Sequence, residues 1–312
     1  MEPEERSQQP FADRRADRKE KPPGTDCPAA GSVMNAVRWI LRLGNLLLNA
    51  VVALVLLAAG LYSGYALWDN AQVYTAVDEM KESLQKWKPE AGESADSADS
   101  LEALRTVNPD VCAWLTLDHT KIDYPVLQGN DNMKYLNMDV YGDFALSGSI
   151  FLDADCDRTF SGAYSLLYGH HMDNSRMFGD LDRYKKKSFF EANTTGTLIL
   201  PDCTYKLEIF ACLLVPASEK MIFDPGQWQG EVDGLLDFAE KEAIYLHPET
   251  AERLRASGIN GETGKTELSR GGKIPQILAM STCASEFTNA RTVVLAAMEP
   301  YPEKESLDDR SQ

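Results

Sequence analysis

Hydrophobic and polar positions change period several times along the chain. Residues 1–42 are polar, Pro-containing and mixed in charge, which predicts a disordered segment. From Leu43 to Trp68 no charged residue occurs, and this run of 26 residues exceeds the roughly 20 that a membrane-spanning helix needs. Residues 69–108 predict a helical stalk. Val73, Val77, Met80, Leu84 and Trp87 recur at three to four residues, a polar segment at 92–100 interrupts the stripe, and Leu101, Leu104 and Val107 resume it up to Pro109.

After Pro109 the pattern shortens to β-rich runs at 112–117, 124–128, 148–153, 163–169, 195–201, 204–215, 273–282 and 291–298, most of them separated by Gly, Asn, Asp or Pro. Eight such strands suit a closed barrel or a sandwich. Two helical inserts are predicted within the run. One is at 173–191, with Met177, Leu181 and Tyr184 on one face, and the other at 229–257, with Val232, Leu235, Leu236 and Ala239 on one face. The expected organisation is a tail (1–42), a membrane anchor (43–68), the stalk (69–108), a mainly β domain (109–300) and a polar tail (301–312).

Charge adds an orientation and removes a function class. Arg38 and Arg42 precede the uncharged run and Asp69 follows it, so the positive-inside rule places the N-terminus in the cytoplasm and the large C-terminal part outside, as a single-pass protein of the cell membrane. The run is longer and starts later than the apolar core of a cleaved signal peptide. Trp39, Tyr62, Tyr65 and Trp68 suit its interfacial ends. The net charge of −17 argues against a nucleic-acid partner, because phosphate binding wants a basic surface.

Of the six cysteines, none forms a Cys-x-x-Cys pair and none has a histidine at zinc-ligand spacing, which argues against a structural metal site. Cys27 is expected on the cytoplasmic side. The other five are odd in number, so at least one exported thiol should be free.

Two stretches bear chemistry. Met280-Ser281-Thr282-Cys283 ends an apolar run, a polar loop follows, and Arg291 opens the last strand. If these strands are antiparallel neighbours, Cys283 and Arg291 meet at one rim. A guanidinium there favours thiolate and offers a rigid donor to an oxyanion. Taken alone, a cysteine at a strand end more often packs than reacts. The second stretch is Tyr168-Gly169-His170-His171, where an apolar strand stops at Gly169 and imidazole, the natural proton-transfer group near neutral pH, follows at once. His119 and His247, the only other histidines, read as surface residues.

Tyr-Gly-His, then small-residue-Thr-Cys at a strand end, then Arg a few residues on, resembles the sortase family. Asn108-Pro109-Asp110-Val111, Ile122-Asp123-Tyr124-Pro125-Val126, Gly148-Ser149-Ile150-Phe151-Leu152-Asp153 and Met177-Phe178-Gly179-Asp180-Leu181 are similar to signposts of its class B, and the resemblance covers about 70–300. It implies an eight-stranded sortase-type β-barrel with N-terminal helices and a helical insert between strands 6 and 7, preceded by one transmembrane helix. It implies a cysteine transpeptidase that cuts a C-terminal sorting signal of exported proteins through a thioacyl enzyme. The acyl group then passes to an amine of peptidoglycan precursor or pilin. Carried over by position, Cys283 is the nucleophile, His170 the proton-transfer group and Arg291 the transition-state stabiliser, with Ser281 and Thr282 lining the signal groove. His171 stands where many relatives carry Asn. No cofactor is implied, and the family's calcium dependence belongs to another class.

Other cysteine chemistries fit less well. Wall L,D-transpeptidases place Arg very close to a Cys preceded by Gly, and papain-like proteases place Cys before His in the chain. A membrane-anchored binding module or inactive paralogue is the remaining alternative, and covalent labelling by a thiol-reactive signal analogue separates it from an enzyme.

Overall fold

The structure, a computed structural model, describes residues 28–90, 95–228, 230–258, 276–283 and 289–301. The chain divides into two compact units, Met1–Leu67 and Trp68–Gln312.

In the first unit the described residues belong to helix α1, Pro28–Leu84. Among the described residues it is the one helix long and apolar enough to cross a membrane, and Val51, Leu54, Leu57 and Leu61 on it are exposed. The helix opens at Pro28, before the uncharged run begins, so residues 28–42 are helical rather than irregular. The predicted tails at 1–27 and beyond Tyr301 lie outside the described residues.

The second unit is built on an eight-stranded closed barrel. Its strands are β1 (Val111–Leu117), β2 (Asp123–Leu127), β3 (Ile150–Leu152), β4 (Tyr164–Tyr168), β5 (Thr195–Ile199), β6 (Thr204–Pro216), β7 (Ile277–Cys283) and β8 (Ala290–Pro300). Their order is β8-β7-β4-β3-β2-β1-β5-β6, and β6 pairs back on β8 to close the ring. β4/β7 and β2/β3 are parallel and the other pairs antiparallel, giving a mixed barrel. Closure removes the unpaired edges that an open sheet of this size exposes.

Alternation along β1 explains the core. Leu115 and Leu117 pack into the barrel, whereas Trp114 joins a second apolar cluster with Leu84 of α1 and Leu101 and Leu104 of helix α2, Ala95–Val107. Trp114 and both α2 leucines are fully buried, and burying each such side chain stabilises by about 1.5–3 kcal/mol. The region expected as a stalk is therefore the lid of a second core. Polar contacts fix it there. Asp123 accepts hydrogen bonds from Lys88 Nζ (2.8 Å), Trp114 Nε1 (2.8 Å) and Thr116 Oγ1 (3.0 Å). Asp78 takes both arms of the Arg176 guanidinium, at 2.7 and 2.5 Å. α2 also starts inside the polar segment expected to interrupt the helix.

The two inserts are less helical than the apolar periodicity predicts. The first contains a two-residue hairpin, His171–Met172 with Arg176–Met177, then a 3-10 helix, Gly179–Lys185, and the short helix α3, Lys187–Ala192. Asn174 and Ser175 have positive φ, which turns the hairpin and rules out a continuous helix there. The second follows the one-turn helix α4, Lys220–Phe223. It comprises α5, Asp233–Glu242, a strand Ala243–Leu246 and α6, Pro248–Gly258. That strand, rich in β-forming residues, adds to β6. The insert lies between β6 and β7, where the helical insert was expected.

Candidate active site at the barrel rim

Strand register brings the chemistry-bearing stretches to one end of the barrel. β4 and β7 run parallel with Tyr168 opposite Ser281, so His170 and Cys283 each lie two residues beyond a paired position. The Gly169 N–H extends the pairing to the Ser281 carbonyl at 3.2 Å. β7 and β8 run antiparallel with Thr282 opposite Thr292 and Cys283 opposite Arg291. The antiparallel neighbours expected from the sequence are present. Residues 284–288, the loop after Cys283, lie outside the described residues.

Gly169 is required by close packing. A Cβ there would sit 2.5 Å from Ile150 Cδ1 and 2.7 Å from the Phe178 ring. Beyond it, the His170 carbonyl accepts from the Phe178 N–H at 3.0 Å, and the ring Nε2 lies 2.7 Å from the Leu136 carbonyl oxygen. His171 departs into the hairpin opposite Met177 and is exposed, with its Nδ1 3.7 Å from Asp182 Oδ2. The two adjacent histidines thus have separate partners on separate elements.

His170, Arg291, Ser281 and Thr282 all line one cavity of about 260 Å³. Its other walls are largely apolar, with Leu136, Phe151, Tyr168 and Phe223 beside Asn132. Asp153 sets the polar edge by accepting from the Tyr168 hydroxyl (2.8 Å) and Asn132 Nδ2 (2.9 Å). The buried hydroxyls of Ser281 and Thr282 have no hydrogen-bond partner among the described residues. Both oxygens are closed off from solvent, and successive strand residues point to opposite faces, so the two hydroxyls are not presented to the cavity together. Arg291 is half-buried and donates from Nη1 to the Ala290 carbonyl at 3.1 Å.

The sequence had not singled out Asn132, Leu136 or Phe223 as site residues. Their part depends on chain segments far from Cys283, and for Leu136 on a backbone atom, which leaves no mark in residue type. Tyr168 and Phe151 stood within quoted motifs but without a role.

The other described cysteines, Cys112, Cys156, Cys203 and Cys212, are all free thiols. Burial pushes Cys112, Cys156 and Cys212 up to about 12 and raises Cys203 as well, so all four stay protonated near neutral pH and are poor nucleophiles. Among the described residues no group of three or more His, Cys, Asp or Glu side chains is arranged to hold a metal ion.

No protein-family model matches the chain. It is 35% identical over 164 residues to sortase B of Listeria monocytogenes, an alignment covering 53% of this chain and 67% of that protein. The chain belongs to the class B sortases.

Sortase B of Staphylococcus aureus is 29% identical over 197 residues, covering 62% of this chain and 72% of its own length. A solved class B sortase of Streptococcus pyogenes, involved in pilus biogenesis, superposes with a TM-score of 0.52 at 32% identity, over 64% of this chain and 97% of its own. The class explains why a closed mixed barrel and a helical insert between β6 and β7 accompany the Tyr-Gly-His and Ser-Thr-Cys stretches. Its members are cysteine transpeptidases.

Proposed function

We propose that this class B sortase cleaves a C-terminal sorting signal of exported proteins and passes the acyl group to an amine, with Cys283 as nucleophile, His170 as general acid and base, and Arg291 as oxyanion stabiliser. The observation that carries the reading is the register. Cys283 is paired with Arg291 across one ladder, and Cys283 and His170 each lie two residues past the last pair of the next, Ser281 with Tyr168, beside a cavity that His170 and Arg291 both line.

In the first half-reaction the Cys283 thiolate attacks the scissile carbonyl, and His170 protonates the departing amine as the thioester forms. Arg291 donates to the oxyanion in a site partly closed to water. In the second half an amine attacks the thioester, gives its proton to His170 and expels the thiolate. Ser281 and Thr282 form part of the wall of the cavity that takes the signal peptide. The α1 helix anchors the enzyme in the cell membrane, with the N-terminus cytoplasmic and the barrel outside. The acceptor amine belongs to peptidoglycan precursor or to a pilin; the Streptococcus pyogenes relative, involved in pilus biogenesis, is an instance of the second setting.

The test is a panel of sorting-signal peptides incubated with the protein and a small amine. Cleavage with formation of the amine adduct supports the reading. A protein that binds a peptide at this cavity and never cleaves it is a binding module instead.

A further inference from the structure

The His170 ring is held by a backbone carbonyl. Its Nε2 lies 2.7 Å from the Leu136 oxygen, and among the described residues no carboxylate is bonded to it. A carbonyl oxygen only accepts, so Nε2 carries a hydrogen in the neutral ring as well as in the imidazolium. Resting on the function proposed above, we infer that the Leu136 carbonyl is the positioning group for His170 and leaves Nδ1 as the atom that exchanges protons with the reacting amines. This is the orienting task that a third group performs when nucleophile and base act together.

The carbonyl is built into place by its surroundings. Leu136 ends the 3-10 turn Lys134–Leu136, between β2 and β3. Its neighbour Tyr135 is buried, donates from its hydroxyl to Asp110 Oδ2 at 2.7 Å, and accepts at its own carbonyl from the Ser149 N–H at 3.0 Å. Asn108 Nδ2 donates to the Val140 carbonyl at 2.9 Å and ties down the far side of the same segment. Gly148, at φ +55°, passes so close that a Cβ would come within 2.5 Å of both the Leu136 and the Tyr135 carbonyl oxygens. Only glycine lets that backbone pass while Leu136 keeps its carbonyl on His170.

The proton steps follow. The imidazolium gives its Nδ1 proton to the amine nitrogen as the acyl–nitrogen bond breaks and the acyl–sulfur bond is complete. The neutral ring keeps its Nε2–H on Leu136 throughout. The incoming amine bonds to the thioester carbon, passes a proton to Nδ1, and the sulfur leaves as thiolate. Because Nε2–H stays bound, the ring does not need to flip between the two half-reactions.

The experiment is nitrogen NMR of the full chain in detergent, labelled at histidine, at a pH where His170 is neutral, with His170→Gln assigning its signals. The expected spectrum is that of the Nε2–H tautomer, with Nδ1 bare. The Nδ1–H tautomer overturns the proposal while leaving Cys283 chemistry untouched, since no substrate is present. A second arm uses Gly148→Ala, with circular dichroism to confirm folding. Displacing the carbonyl should mix the two tautomers and lower kcat by about tenfold or more with KM within about twofold, because misplacement by an ångström is costly in an oriented site. A folded Gly148→Ala with unchanged tautomer and unchanged kcat also overturns it. Should that variant not fold, the wild-type spectrum still decides.

Discussion

Cys283 and Arg291 are direct partners in the antiparallel ladder between β7 and β8, although eight positions separate them in the chain. The ladder fixes their backbones by ordinary sheet hydrogen bonds, so a change of side chain at either position leaves the frame intact. The site is thus open to substitution without loss of the fold.

Arg291 provides the first use of that fact. Arg291→Ala should lower kcat by about 10²–10³, the usual cost of removing an oxyanion donor. Arg291→Lys should fall between, because a lysine keeps the charge and loses the planar fork. Steady-state peptide cleavage measures both, and an Arg291→Ala enzyme of normal kcat would remove the residue from the chemistry.

The histidine pair separates the two rings. His170→Ala should cost on the order of 10²–10⁴ in rate, the worth of a positioned general acid and base. His171→Asn should cost only a few-fold, since His171 is exposed on the hairpin and its nearest charged partner is Asp182. The same cleavage assay, with circular dichroism on each variant, compares them. Equal loss from both would mean that the second ring takes part.

The four buried or half-buried cysteines should be chemically silent. Cys112→Ala, Cys156→Ala, Cys203→Ala and Cys212→Ala should each keep near-normal cleavage, because burial holds these thiols protonated. Fully buried Cys112 and Cys212 should lose some stability through the small cavities left behind. Thermal melts and cleavage rates recorded together would expose any of the four that matters to catalysis.

Acid should loosen the helical lid over Trp114. Burial raises the Asp123 carboxyl, but hydrogen bonds from Lys88, Trp114 and Thr116 outweigh it and leave the group below its ordinary value. A depressed carboxylate stabilises the fold above its unfolded-state value, and that contribution is lost as pH falls through the folded-state value. Asp123→Asn should therefore cost on the order of 1–3 kcal/mol near neutral pH. The gap to wild type should close in acid below the folded-state value. Denaturant melts across pH test this, and a gap that stays constant into acid would refute it.

How much was legible follows from the kind of interaction involved. The eight strands appeared as β-branched and aromatic runs because each has at least one buried face, and the boundaries in the structure differ by only a few residues. His170, Cys283 and Arg291 could be picked out because strand ends deliver side chains to a rim, whereas Ser281 and Thr282 were named only through the family resemblance. The role of the 69–108 helices was not legible. Val77, Leu84, Leu101 and Leu104 make the same apolar stripe whether they face a partner helix or a barrel wall. The first insert misled because Met177, Leu181 and Tyr184 keep helical spacing through a hairpin and a 3-10 helix that bury them just as well. Leu136 was invisible, since its carbonyl is the same in every residue type.

The central claim is that Cys283 carries the acyl group, and intact-mass spectrometry tests it most directly. The full chain in detergent is mixed briefly with an excess of cleavable sorting-signal peptide, then quenched in acid. The expected result is a mass increase equal to the acyl half of the peptide, mapped by proteolysis to Cys283 and absent from a folded Cys283→Ala, which also fails to cleave. A Cys283→Ala protein that still cleaves the peptide, or an adduct mapped to another residue, would contradict the account.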